Sequence, residues 1–326
     1  MADEQRSSGE ANESRGGDRD SHPDRDRDAT VGEDAAGSAP DDYATVALSD
    51  GRELAYATYG NPGDDPVLFC HGNPGSRLSG ALVDAAASWL DVRLIVPDRP
   101  GRGYSTPLAD HALLEWPEDA VALFDALDVE RAGVVGFSAG GAFALATAHA
   151  YPDRVRAVSL VSALAPPSMV EGLGSRSQLI FAALSRAPWL ARGPYRAAAY
   201  FARNDPERLL DFLATNFSPA DEAVFEDPDT ADAVVADVRE AFRQGTRWPA
   251  YETGLVAREW GFDPTDVTVP VSVWHGRDDR SVPPAVARAV AEAIPATSLD
   301  LLDAEGHYST LVNHPRPILY AALEPG

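Results

Sequence analysis

The sequence predicts an α/β fold: a mostly parallel central sheet with helices on both faces and a block of helices inserted into it. Three observations carry this expectation. From Tyr43 onwards, short apolar runs of strand length alternate with longer stretches of helical composition. Strands apolar on both faces need cover on both faces, which a parallel sheet between helical layers supplies. The alternation lapses between residues 165 and 262 and then resumes. Finally, Val134-Val135-Gly136-Phe137-Ser138-Ala139-Gly140-Gly141 passes from a β-rich run through Gly-x-Ser-x-Gly straight into an Ala-rich helical stretch over residues 142–150.

The elements follow in order. Residues 1–42 carry Asp24-Arg25-Asp26-Arg27-Asp28 among Ser, Gly and Glu, with almost no large apolar residue. Too little surface can be buried there to offset ordering entropy, so a disordered acidic tail is expected. Residues 45–48 and 53–59 are read as strands around the turn Ser49-Asp50-Gly51, a hairpin signal. A strand at 66–70 runs into His71-Gly72-Asn73-Pro74-Gly75-Ser76, followed by a helix at 78–90 and a strand at 92–96. A helix at 117–127, a strand at 132–137 and another at 155–161 complete the first half. Within 165–262 the helical patterns are 177–185, 206–213 and 230–244, with no convincing strand. The strand at 269–275, the helix at 284–294, the strand at 298–302 and the helix at 315–323 close the chain. The organisation is therefore tail 1–42, core 43–164 with 263–326, and a helical lid inserted at 165–262 over the sheet's ligand edge.

Bulk composition narrows the function classes. A chain of 326 residues, 44% of them hydrophobic, can bury a large core. No apolar run reaches the roughly 20 residues of a membrane-spanning helix. The polar, acidic N-terminal stretch does not resemble a secretory signal, and one cysteine, Cys70, excludes an intramolecular disulfide or a Cys-based metal cluster. A cytoplasmic setting is expected. The 51 acidic residues face 27 basic ones, all arginine, for a net charge of −24. Such a surface repels nucleic-acid phosphates. Excess acid without lysine fits a salt-rich, halophilic cytoplasm in which ions screen self-repulsion; an acidic protein from a high-GC genome is the plainer reading.

The chemistry starts at Ser138. A strand turning sharply into a helix holds a hydroxyl at the apex of the turn, the arrangement called a nucleophile elbow, and its glycines admit backbone approaches that a Cβ would block. A serine hydroxyl is a weak nucleophile until a base takes its proton, and the base in turn needs an acid to orient it. Both types lie downstream, each after a strand. Trp274-His275-Gly276-Arg277-Asp278-Asp279 carries acids, and Ala304-Glu305-Gly306-His307 carries a histidine. Among the seven histidines, only His307 lies in a post-strand loop beyond a post-strand acid. His71 and His275 sit at strand ends and are read as loop organisers.

With His71-Gly72-Asn73-Pro74-Gly75, Asp98-Arg99-Pro100-Gly101-Arg102-Gly103-Tyr104-Ser105, the elbow, Gly276-Arg277-Asp278-Asp279 and Gly306-His307 in this order, the chain resembles the α/β-hydrolase superfamily. The resemblance is to its lidded members of esterase and proline-iminopeptidase type, and spans nearly all of Tyr43 to Leu323. It implies Ser138 as nucleophile, His307 as general base, Asp279 as acid with Asp278 as runner-up, and an oxyanion hole from the backbone amides of Asn73 and Ala139. No cofactor or metal is implied, and the partner is a small molecule; oligomeric state is left open. Asp98 is read as fixing a turn. Dehalogenases and epoxide hydrolases of this superfamily place an aspartate where Ser138 stands. Iminopeptidases need lid carboxylates for a substrate amine; Glu171, Asp211 and Glu240 are present but not singled out. The expected activity is hydrolysis of a small carboxylic ester or related acyl compound. The alternatives are aminopeptidase, C–C bond hydrolase, perhydrolase or cofactor-free oxygenase chemistry on the same triad, and a non-catalytic ligand-binding member. Lid aromatics, Trp189, Tyr195, Tyr200 and Trp248 among them, suit either an apolar acyl pocket or the lid's own core. Lid arginines such as Arg176 and Arg203 are read as surface charge.

Overall fold

The computed structural model describes residues 43–324, apart from 64, 171–182, 216 and 296. The expected tail therefore lies outside the described residues, as do Glu171, Arg176 and most of the helix expected at 177–185.

Eight strands form one sheet: β1 (Ala44–Ala47), β2 (Glu53–Gly60), β3 (Asp65–Cys70), β4 (Val92–Pro97), β5 (Ala132–Phe137), β6 (Val155–Val161), β7 (Val271–Gly276) and β8 (Thr297–Leu302). Their order is β1-β2-β4-β3-β5-β6-β7-β8. The β1–β2 hairpin is antiparallel, β2 pairs antiparallel with β4, and every later pairing is parallel. Alternate side chains of the central strands feed opposite faces, as the pleat dictates. Leu68, Val134 and Leu160 join one core with helices α2 (Trp116–Ala126) and α3 (Gly140–Ala150). Val67, Phe69, Val135 and Val161 join the other, with α1 (Asp84–Leu90) and the C-terminal helix Pro315–Leu323. Each fully buried Val, Leu or Phe contributes about 1.5–3 kcal/mol.

The helix expected at 78–90 is broken. Residues Arg77–Leu82 form a 3₁₀ helix capped by Ser76, and α1 starts only at Asp84. The two meet at Val83, and within the 3₁₀ segment Gly80 passes so close to the Tyr59 ring that a Cβ there would lie 2.3 Å from it.

Between β6 and β7 the described residues contain no strand. They form α4 (Pro167–Val170), α5 (Arg192–Asn204), α6 (Pro206–Ala214), α7 (Pro219–Val224), α8 (Pro228–Ala241) and α9 (Arg247–Val256). Three of these start on one local device. Asp205, Ser218 and Asp227 each accept an amide proton from the first turn, and a proline follows each cap, the pairing that favours helix starts. Helices α4, α5, α7 and α9 have no counterpart among the sequence expectations. The inserted helices build their own small core from Ala198, Ala202, Leu209, Val234, Val238 and Phe242, against which Leu82 and Tyr308 of the sheet layer pack. Helices α10 (Pro284–Ala293), α11 (Ser309–Asn313) and α12 (Pro315–Leu323) complete the chain.

The elbow depends on close backbone approach. A Cβ on Gly140 would lie 1.9 Å from the Cys70 carbonyl oxygen, and one on Gly136 2.6 Å from Gly141 Cα. Gly140→Ala is expected to lower stability by about 3 kcal/mol, the upper range for overpacking a rigid site. Gly193→Ala, whose Cβ meets nothing within 4 Å, is expected to hold or slightly raise it. Urea denaturation midpoints of the two variants check both.

Candidate active site

Ser138 sits at φ 54° directly after β5, a left-handed conformation that costs a non-glycine residue about 1–3 kcal/mol. Its amide donates to the Val161 carbonyl at 2.9 Å, and its carbonyl accepts from Gly141 at 3.1 Å and Leu164 at 3.3 Å. These bonds hold the strained turn. Ser138 is half-buried, whereas Phe137 and Ala139 beside it are buried.

His307 and Asp279 meet. The imidazole Nδ1 donates to Asp279 Oδ2 at 2.8 Å, while Asp279 Oδ1 accepts from the amides of Ser281 and Val282, both at 2.8 Å. Asp278 is exposed and points no bond at the histidine; its amide donates to the Glu305 carbonyl. The imidazole ring of His307 packs on Phe137, next to Ser138, at 5.2 Å between centroids. Among the described residues no hydrogen bond joins Ser138 Oγ to His307. Burial opposes charge on His307, but the Asp279 carboxylate, helped by Asp221, outweighs it and leaves the imidazole pKa above 6.5. Burial likewise works against an ionised Asp279, yet His307, His275 and its hydrogen bonds keep it below the usual carboxylate range. His275, at the end of β7, is the loop organiser the sequence indicated: Nε2 lies 2.9 Å from the Val282 carbonyl and 3.4 Å from Asp279 Oδ2.

The backbone amides of Asn73 and Ala139 donate to no acceptor among the described residues. The loop carrying Asn73, whose bond to Pro74 is cis, is fastened from behind. Arg99 Nη1 and Nη2 donate to the carbonyls of His71 and Gly72 at 2.6 and 3.0 Å, while Nε and Nη2 grip Glu252 at 2.9 and 2.7 Å. Arg102 bonds Asn73 Oδ1 at 2.9 Å and the same Glu252 at 3.1 Å. Asn73 Nδ2 donates to Thr253 Oγ1 at 3.0 Å and the Pro249 carbonyl at 3.1 Å. Sequence reasoning missed Arg99, Arg102, Glu252 and Asp221. Only the capping pattern Ser218-Pro219-Ala220-Asp221 left a local signal for the last. Asp98 does fix its turn, accepting from the amides of Arg77 and Tyr104.

Of the three carboxylates weighed for a substrate amine, Glu240 is engaged with Arg77 and Arg243 and Asp211 is exposed. Most of the inserted aromatics pack on one another, as Tyr195 does on Phe242 at 5.5 Å and the largely exposed Tyr200 on Phe201 at 5.9 Å, whereas Trp189 is exposed. Arg203 is exposed, as read from the sequence, and donates to the Phe242 carbonyl at 2.9 Å. Among the described residues no three His, Cys, Asp or Glu side chains are grouped to hold a metal ion, and no helix is long and apolar enough to cross a membrane.

A family model described as alpha/beta hydrolase fold matches residues 65–313. A 2-hydroxymuconate semialdehyde hydrolase from Pseudomonas putida is 28% identical, over 80% of this chain and 89% of its own. A non-heme chloroperoxidase from Streptomyces lividans is 31% identical, over 74% and 84%. Among solved structures, an alpha/beta hydrolase fold protein from Nakamurella multipartita superposes with a TM-score of 0.60 at 26% identity, covering 86% of this chain and 98% of that one. The chain belongs to the α/β-hydrolase fold family.

The cluster behind the Asn73 loop has a pH signature. Burial alone would raise the Glu252 pKa, but the Arg102 and Arg99 charges bring it down to about 2 from an ordinary 4.5. A depressed folded-state value means its stabilisation is complete above 4.5 and is lost as pH falls towards 2. Glu252→Gln strands two buried arginines and is expected to cost about 3 kcal/mol at neutral pH. Thermal melts across pH should then show a shallower acid-side loss in the variant than in wild type.

Proposed function

We propose that this member of the α/β-hydrolase fold family is a serine hydrolase that cleaves a small carboxylic ester or related acyl compound through an acyl-enzyme. The 2.8 Å bond between His307 Nδ1 and Asp279, beside the strained turn of Ser138, is the observation that carries this reading. Held by Asp279 in the tautomer with Nδ1 protonated, His307 presents Nε2 as the base. It takes the Ser138 proton as Oγ attacks the acyl carbon. The Asn73 and Ala139 amides receive the developing oxyanion, a contribution of about 3–4 kcal/mol per donor in other enzymes. The imidazolium then returns its proton to the leaving alkoxide, and a water activated by the same nitrogen releases the acid from Ser138. The helices between β6 and β7 serve as a lid over this edge of the sheet. With Glu240 engaged in ion pairs, a peptidase reading has one fewer candidate for a substrate amine. The acidic, lysine-free composition supports a cytoplasm of high ionic strength as the setting. The relative from Pseudomonas putida makes 2-hydroxymuconate semialdehyde a second substrate to assay on the same triad.

Treatment with a fluorophosphonate in high salt should label Ser138, located by mass spectrometry, and Ser138→Ala should abolish the adduct. Equal labelling of that variant would sink the hydrolase reading. On p-nitrophenyl esters, Asp279→Asn is expected to lose about 10⁴-fold in kcat, as triad carboxylates do elsewhere, while Asp278→Asn keeps its rate. The base works only when neutral, and His307 carries a raised pKa. The acid limb of kcat/KM should therefore have its midpoint above 6.5, the ordinary value for histidine.

A further inference from the structure

The turn and helix at Phe217–Val224 hold a second acid against the His307 loop. Asp221 is fully buried, as is Ser218. Its Oδ2 accepts from the amides of Ser218 and His307, both at 3.0 Å, and from the Ser218 hydroxyl at 3.1 Å. Its Oδ1 accepts from the amides of Tyr308 at 2.8 Å and Ser309 at 2.9 Å. One side chain of the insertion thus satisfies three consecutive amides of the loop that ends in the candidate base. A capping box needs only the Ser218 contact; the other three bonds exceed that local role. Contact is close enough that Gly306 has no room for a side chain: a Cβ there would lie 2.1 Å from both Asp221 Oδ2 and Ser218 Oγ. A second strap joins the same turn to the loop of the acid, with Arg280 Nη1 donating to the Phe217 carbonyl at 2.8 Å. Between the two straps Tyr308 packs edge-on against Phe217 and Phe225, at 5.8 and 5.2 Å.

We propose that Asp221 is a positioning residue of the active site, locking the His307–Ser309 backbone so that an aligned base requires the α7 segment to be seated. The inference rests on His307 being the base. The charged and titratable groups around that ring are Asp279 and His275 from β7 and its loop and Asp221 from α7, with Asp237 of α8 beyond Tyr308. Two of them, Asp279 and Asp221, favour the imidazolium. An amide at position 221 can present only one oxygen to the donors and carries no charge.

Asp221→Asn is therefore expected to lose about 100-fold in kcat, the scale of a small misplacement of a reacting group, with KM little changed. In ¹³C-histidine-labelled protein carrying Ser138→Ala, the His307 titration should move to lower pH when Asp221→Asn is added. Full activity in Asp221→Asn, or lost activity with the His307 titration unmoved, overturns the proposal, because a merely structural cap would not set the base. Should that variant fail to fold, hydrogen exchange on the wild-type protein decides. The His307, Tyr308 and Ser309 amides should open together with those of residues 220–224, and independent opening refutes the lock. Absence of a fluorophosphonate adduct on Ser138 would defeat the hydrolase reading alone, since titration and exchange still judge Asp221.

Discussion

The Arg99–Glu252 ion pair is the constraint on which the architecture of the site depends. Arg99 leaves the sheet at the end of β4, and Glu252 belongs to α9 of the insertion, 153 residues later. Two of its nitrogens bind that carboxylate while the same guanidinium reaches the His71 and Gly72 carbonyls. Arg99 Cζ lies 4.3 Å from the Phe143 ring centroid, against the helix that follows the elbow. Burying two ions costs several kcal/mol each before their attraction and hydrogen bonds return it. What is secured is geometry: the Asn73 loop, the post-elbow helix and the insertion are fixed relative to one another at one point.

A similar logic recurs on the other side of the elbow. There the insertion supplies Asp221, which binds backbone amides rather than an arginine. The sheet contributes a rigid Ser138 turn, whereas the two loops that flank it have little regular structure of their own. Each is tied down by a carboxylate from the inserted helices. The insertion thus reaches both loops through its acids.

Strand alternation, the elbow and the order of acid and histidine were legible because they are local patterns with one physical cause each. Choosing Asp279 over Asp278 rested on resemblance alone, since neighbouring loop acids look alike until one is buried. The structure buries Asp279 and exposes Asp278. Helix α9 was not legible: Trp248, Pro249 and Gly254 weaken any helical signal in residues 247–256, and tertiary contacts around Glu252 hold it. The close approach of Gly80 to Tyr59 involves a residue of a different element, and the break at Val83 left no local signal. Asp221 closes a capping pattern that went unread, and its partners stand 86 to 88 residues away, beyond the reach of spacing.

The lysine-free composition gains a structural meaning from these contacts. An ammonium is a compact charge on a flexible stem and cannot grip a carboxylate with two nitrogens while reaching two carbonyls. Arg99 does this, and Arg102 bridges Asn73 and Glu252. The surplus acids responsible for the charge of −24 are of a different kind. Exposed charges are screened over about 8 Å at physiological ionic strength and over less in stronger salt, whereas buried pairs are screened far less. Salt therefore relieves repulsion among the surface acids and leaves the Arg99–Glu252 and Asp279–His307 contacts nearly untouched. The protein's charge separates into two populations, one answering to the solvent and the other to the site.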